Sequence, residues 1–228
     1  MKTHALFGIL TLLGTSALMA DQTDVSTAAQ ALAGQSSYTW KSTVVVPPDS
    51  QFQPAPTDGK IANGVISVST SFGGNDMKYF IKGTNAAVYS EDNGWQSLNE
   101  MTNQQGPGRF MGRMLRNFQT PAMQATNLLA NAKPLTKDGD AYSADLTDDG
   151  AKALLTFRRG GQSTVSNAKG SVKFWVANGM LTKFESKVTG TVSYNGNDVD
   201  VNRDTTVVIS DVGSTKIDVP DDAQKKLQ

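Results

Sequence analysis

The sequence predicts an α+β protein, mainly β, built on one curved antiparallel sheet, an open or half β-barrel, with helices covering its concave face. Three observations carry that prediction. The last third of the chain holds three long segments that alternate apolar and polar residues and are separated by Asn-Gly turns. The middle holds amphipathic helical segments that can cover a sheet which is dry on one side only. Hydrophobic residues make up 38% and charged residues 18% of the 228 positions, with Gly, Ser, Thr, Asn and Gln filling the difference, a balance that suits strands and turns better than long salt-bridged helices.

The N-terminus carries Lys2, an apolar run from Ala5 to Leu13, and small residues up to Ala20. A short cationic start, an apolar stretch too short to span a bilayer and a small-residue exit describe a secretory signal peptide over residues 1–20. Cleavage is expected after Ala20, with Ala17 as the second choice. No cysteine follows the run to accept a lipid. The protein is therefore expected to be exported, to the periplasm. Residues 21–35 read as a leader or short helix, and residues 36–228 as a single domain.

Each later element has its own signal. Ser36 to Val46 places Tyr38, Trp40, Val44 and Val46 on one face at period two, a strand. Four prolines make residues 47–59 a loop. Ile61 to Phe72 alternates again, with Ile66, Val68, Thr70 and Phe72 on one side, and Gly73-Gly74-Asn75-Asp76 turns the chain into strands over Met77–Lys82 and Ala86–Ser90. A short helical piece near residue 97 leads through Gln105-Gly106-Pro107-Gly108 into residues 109–118. Thr120 before Pro121 is a helix start, with Ala122, Ala125, Leu128, Leu129 and Ala132 at helical spacing. Ala141–Leu146 is a strand, and Thr147-Asp148-Asp149 caps a helix expected to reach about Arg159.

The long strands follow. Val172, Phe174 and Val176 share a face before Asn178-Gly179. Met180, Thr182, Phe184, Ser186, Val188, Val192 and Tyr194 share the next, and Val199, Val201, Thr205, Val207 and Ile209 the third, after Asn195-Gly196. The tail from Asp221 to Lys226 places acids early and lysines late, as a helix dipole favours.

Composition excludes several chemistries. Lys plus Arg and Asp plus Glu are 21 each, so the net charge is zero and no basic nucleic-acid binder is expected. Cysteine is absent and the one histidine, His4, lies in the signal segment. Nucleophile systems that use imidazole as base are therefore ruled out, as are His- or Cys-based metal sites. Carboxylate chemistry, Ser-Lys pairs and hard-metal sites remain. Asp198-Val199-Asp200-Val201-Asn202-Arg203-Asp204 imitates the start of a calcium loop, but Arg203 stands where Gly is needed and Ile209 where Glu is needed, so it reads as a strand. No pair of acids stands out for glycoside hydrolysis. An enzyme is not expected, nor any cofactor or metal.

One segment has the chemistry of a lipid-facing lid. Arg109, Arg113 and Arg116 recur at i, i+4 and i+7, beside Phe110, Met114 and Phe118 at i, i+4 and i+8. Guanidinium forks suit phosphate or carboxylate headgroups, and Phe and Met suit acyl chains. The plain alternative is a surface helix whose Arg stems cover the core.

Ser37-Tyr38-Thr39-Trp40, the helical insertion, and the end running from Gly170-Ser171-Val172-Lys173-Phe174-Trp175 through Ile209-Ser210-Asp211-Val212-Gly213 to Val219-Pro220 resemble the LolA-like superfamily, which includes periplasmic lipoprotein carriers and the LppX/LprG lipid-binding proteins. The resemblance implies an unclosed barrel whose helices plug an apolar cavity for acyl chains, without catalysis. It departs from the lipid-anchored members in lacking their lipid-bearing cysteine.

The expected function is thus non-catalytic binding of lipid or lipoprotein acyl chains between sheet and lid, as a periplasmic carrier. The expected wall is Trp40, Ile66, Val68, Phe72, Phe174, Phe184 and Val207, with Phe110, Met114 and Phe118 from the lid and Arg109, Arg113 and Arg116 as headgroup candidates. The expected partners are a lipid or an acylated protein and transient membrane or envelope-protein contact, with the chain a monomer. The alternative is a structural or interaction module of the cell envelope with a filled core.

Overall fold

The computed structural model describes residues 14–50, 53–72, 74–103, 107–156, 163–194 and 196–228; the side chains of residues 14–20, 72, 107, 110 and 194 are not among those described. The elements run α1 (Gly14–Ala33), β1 (Ser37–Val45), β2 (Thr57–Ala62), β3 (Val65–Phe72), β4 (Asn75–Lys82), β5 (Asn85–Ser90), β6 (Gly94–Ser97), α2 (Leu98–Asn103), α3 (Pro107–Arg116), α4 (Pro121–Ala130), β7 (Thr136–Asp138), β8 (Ala141–Asp145), α5 (Asp148–Leu155), β9 (Ser163–Ala177), β10 (Met180–Tyr194), β11 (Asn197–Ser210) and α6 (Asp221–Lys226).

All the strands among the described residues belong to one antiparallel sheet of 11, in the order β6-β5-β4-β3-β2-β1-β11-β10-β9-β8-β7. The ends, β6 and β7, do not pair with each other, so the sheet is curved and unclosed, as expected. Sheet neighbours are consecutive in sequence except at β1–β11, where the first and last strands meet and Trp40 faces Ile209. Register shifts between Leu181 and Lys183 and between Thr189 and Thr191 mark irregularities in the β9–β10 pair. Such bulges bend a strand and increase its twist.

The turns follow local chemistry. Asn178 and Gly179 take φ of 52° and 72°, the double left-handed conformation that a two-residue hairpin demands. Asn63 and Gly64 do the same at 50° and 75°. The segment Ile61–Phe72, expected as one strand, is therefore two, β2 and β3, paired with Ala62 opposite Val65. Loop 47–59 ends earlier than expected, at Thr57, and β7 is an additional strand, three exposed residues long. The turn at residues 73–76 closes with Phe72 opposite Asn75, although Gly73 itself lies outside the described residues. Asn195, residues 104–106, and Arg158-Arg159-Gly160-Gly161 also lie outside them.

Both predicted helix caps form. Thr120 accepts a hydrogen bond from the Met123 amide, with Pro121 in the first turn, and Thr147 accepts one from Gly150. Helix α5 ends at Leu155, short of Arg159. The segment read as a leader or short helix belongs to α1, and Val25, Ala28, Ala29 and Leu32 are buried in the main core. Helices α1 and α4 pack on each other and on β10, α5 packs over β9 and β10, and α2 packs on β5 and β6.

A smaller core forms on the opposite face of the sheet. The tail crosses β4 and β5, burying Ala223 and Leu227 against Phe80 and Ala87, with Trp95, Ile217 and Val219 beside them. Lys226 reaches Glu100 at 2.6 Å. That contact, together with the Ser97 amide, holds the Glu100 carboxyl down to about 2. Glu100 also completes a capping box on α2, accepting from the Ser97 amide while its own amide donates to the Ser97 hydroxyl.

Trp40 depends on a glycine beside it. It pairs with Gly59 across β1 and β2, and a Cβ on Gly59 would lie 2.0 Å from two indole carbons. Only a bare backbone lets the ring lie flat on the sheet. Gly59→Ala is expected to cost about 1–3 kcal/mol of stability, the usual range for overpacking. Urea denaturation checks this; an unchanged midpoint would mean that the ring sits loosely.

Candidate functional site

The concave face is built from alternate residues of neighbouring strands. Trp40 on β1, Val68 on β3 and Tyr79 on β4 line one half, and Phe174, Phe184 and Val207 on β9, β10 and β11 line the other. All six belong to the main buried core. Phe184 lies between its two strand partners Phe174 and Val207, with the two phenyl rings 6.5 Å apart.

An aromatic group closes the first half. Phe118, just after α3, stands 6.3 Å from Trp40 and 6.2 Å from Tyr79, edge-on to the tyrosine ring, and Tyr38 is 6.0 Å from Trp40. Such tilted and edge-on contacts add to the stabilisation from burial itself. Phe118 is half-buried, as are Ile66 and Met77 near it.

The helical cover differs from expectation in its register. Met114, expected on the inward stripe with Phe110 and Phe118, is exposed, whereas Leu115 is buried and Met111 packs against the core. Gly112 is the reason. A Cβ there would lie 2.5 Å from the Thr102 side chain, so α3 meets α2 through its glycine face and Met114 turns outward. Arg109, Arg113 and Arg116 are all exposed on α3 and face away from the hollow.

Of the expected wall, Trp40, Val68, Phe174, Phe184 and Val207 are thus brought together in the core, with Ile66 and Phe118 at its margin. The backbones place Phe72 on β3 and Phe110 on α3, and their side chains lie outside those described. Tyr79, Met111 and Leu115 were missed. Tyr79 shares the alternation of Met77 and Ile81, which was legible; the α3 pair was hidden by two overlapping apolar stripes.

The hollow is filled in this state. Val68, Phe174, Phe184 and Val207 are at most 1% exposed, and α1 and α4 contribute Leu32, Leu128 and Leu129 to the same cluster. An open cleft of about 540 Å³ lies elsewhere. It includes Lys41, Asp58, Ser69, Lys78 and Tyr89, which form one row across five strands on the face opposite Trp40.

The chemistry of the concave face is mostly passive. Burial pushes the Tyr38 and Tyr79 hydroxyls up to about 12, against a smaller opposing effect of the Thr120 side chain on Tyr38. Tyr142 donates to Asp24 at the sheet's other end. Arg203 donates to the Leu154 carbonyl at 2.7 Å, near the negative end of α5, and burial lowers its pKa. Among the described residues no three His, Cys, Asp or Glu side chains gather to hold a metal ion, and no helix is long and apolar enough to cross a membrane.

The two tyrosines give the fold a pH dependence. Their folded values lie above the ordinary 10, so between pH 10 and about 12 the unfolded chain binds fewer protons than the folded one. Stability from these groups is therefore present below pH 10 and falls as pH rises toward 12. Phenolate absorbance is expected to show Tyr38 and Tyr79 titrating only with unfolding. Titration of all five tyrosines below the unfolding transition would show both rings to be accessible.

No family model matches the chain, and no curated protein matches it. Comparison with solved structures finds similarity to lipoprotein LppX of Mycobacterium tuberculosis, at 11% identity over 87% of this chain and 98% of that one, with a TM-score of 0.49. LprF from Mycobacterium bovis matches at 11% identity, over 90% and 98% of the two chains, with a TM-score of 0.46. A DUF1329 family protein from Desulfovibrio piger matches at 10% identity, over 86% and 92%, with a TM-score of 0.31. All three scores lie below 0.5, so what this chain binds must follow from its own side chains.

Proposed function

We propose that this chain is a non-catalytic, exported protein that takes up lipid or lipoprotein acyl chains between its sheet and its helices, as a periplasmic carrier. The observation that carries the reading is the cover over Trp40 and Tyr79. Helix α3 packs principally on α2, and Phe118 follows directly after it. Moving α3 and Phe118 aside would uncover a wall of Trp40, Ile66, Val68, Met77 and Tyr79 without breaking a strand pair. Each CH₂ that then leaves water contributes about 0.8 kcal/mol, so a long chain can offset the loss of the protein's own contacts there. No reactive group is required.

The filled core favours a second reading, an envelope interaction module in which the helices serve only as packing. The two differ in whether the interior admits a guest. A variant with Trp95→Phe and Trp175→Phe keeps Trp40 as its one tryptophan. Monomeric fatty acid brominated along its chain is expected to quench that fluorescence saturably, and an unbrominated chain to compete. Unquenched Trp40, with protein that shows no bound lipid in native mass spectrometry, would leave the interaction module standing.

Export is part of the proposal. Asp21 of α1 accepts from the Lys137 amide, Gln22 donates to the Leu129 carbonyl, and Val25, Ala28, Ala29 and Leu32 are buried, all of them beyond residue 20. Removal of residues 1–20 keeps all of these. Sequencing the protein from a periplasmic fraction is expected to give Asp21 first. Recovery only of protein that starts at Met1 would overturn export by this segment.

A further inference from the structure

We infer that the outward face of α3, with the start of α4, docks on an anionic lipid bilayer. This goes beyond chain binding in the hollow and does not depend on it. Two independent observations meet on this face. Charge is the first. Residues 101–137 contain no Asp or Glu, in a chain whose net charge is zero, and carry Arg109, Arg113, Arg116, Lys133 and Lys137. Lys133 faces Asp145 at 3.7 Å and Lys137 lies over the Tyr142 ring. The three arginines are exposed and form no ion pair with a described residue.

The second observation is apolar. Met114 is 39% exposed on α3 and Met123 is 51% exposed in the first turn of α4. Gly112 and Leu115 fix the opposite side of α3 against α2 and the core, so Met114 cannot turn inward without losing that packing. An unbranched methionine on the same helix as guanidinium forks suits a membrane interface. The forks bind headgroup phosphates while the thioether reaches the acyl boundary. An acidic protein partner would be selected by patterned charge and a shaped anchor pocket. The outward side of α3 instead offers three arginines, no acid within the helix, and a flexible side chain in Met114.

Flotation with vesicles tests the proposal, using the chain from Asp21 onward. Binding is expected to mixed phosphatidylcholine–phosphatidylglycerol vesicles and not to phosphatidylcholine alone, and to weaken with salt. Each arginine changed to Gln is expected to reduce partition roughly fivefold, and Arg109→Gln/Arg113→Gln/Arg116→Gln together on the order of a hundredfold. Lys60→Gln/Lys169→Gln/Lys216→Gln removes the same charge from exposed positions outside the helical cover and is expected to leave partition nearly unchanged. Met114→Ser/Met123→Ser is expected to weaken binding while keeping its salt slope. Equal partition onto neutral vesicles, or an equal loss in the lysine variant, would overturn the proposal. Retention on immobilised polyglutamate without any flotation would also overturn it, and would assign the face to an acidic protein. A protein that floats but whose Trp40 is not quenched by brominated monomers retains this inference while losing the one about the hollow.

Discussion

An antiparallel sheet that is dry on one side and does not close has to be covered, and this constraint shapes the rest of the molecule. Eleven strands curl far enough to make a hollow, but β6 and β7 stay apart. The apolar face that carries Trp40, Val68, Phe174, Phe184 and Val207 would meet water if the helices were absent. With no cysteine available for a disulfide, the chain depends on apolar burial such as this for its stability. The backbone supports it with specific devices: Gly59 under the Trp40 ring, bulges in the β9–β10 pair, and Asn-Gly turns that match the twist of the hairpins.

How legible each part was in the sequence depended on whether local chemistry or tertiary packing decided it. Strands β10 and β11 are long and one-sided, so period two identified them, and with them the half of β9 from Val172 onward; its first half, from Ser163, was not read as a strand. The caps at Thr120 and Thr147 are set by residues within three positions, and both could be read directly. The hairpin at Asn63-Gly64 was also written locally, because Ile61 is out of phase with Ile66, Val68 and Thr70. Helix α1 carried Val25, Ala28, Ala29 and Leu32 at helical spacing, a core stripe that a polar, Gln- and Thr-rich context disguised. Strand β7, with three exposed residues, has no periodicity to read.

The candidate site was legible in its wall and not in its cover. Alternation along a strand leaves two faces to choose between, and the polar residues identify the wet one. Residues 110, 111, 114, 115 and 118 of the lid offer two apolar stripes that overlap, and sequence spacing cannot rank them. Packing ranked them, through a contact between Gly112 and Thr102 that is distant in no obvious pattern. The arginine stripe was legible as chemistry, but which way it faces followed only once that register was set.

The cover is attached unevenly. Helices α1, α4 and α5 bind the β7–β10 side through packing, and Gln22 and Arg203 add hydrogen bonds to backbone carbonyls of that cover. On the β1–β6 side, α3 relies on α2, and α2 is tied in turn to the tail by Glu100 and Lys226. A guest entering the hollow would therefore displace the second group before the first, because α3 can leave with its Phe118 while the α1–α4 pair keeps the other half buried. The tail lies on the opposite face of the sheet, so its grip on Glu100 limits how far α2 can follow. On the proposed function, lid movement would be confined to α3 and the residues around Phe118, the same segment whose outer surface carries the three arginines and Met114. On that function, the segment from α3 through Phe118 would present lipid-compatible chemistry outward and the cover of Trp40 and Tyr79 inward, so contact at its outer face and opening at its inner face would act on one element.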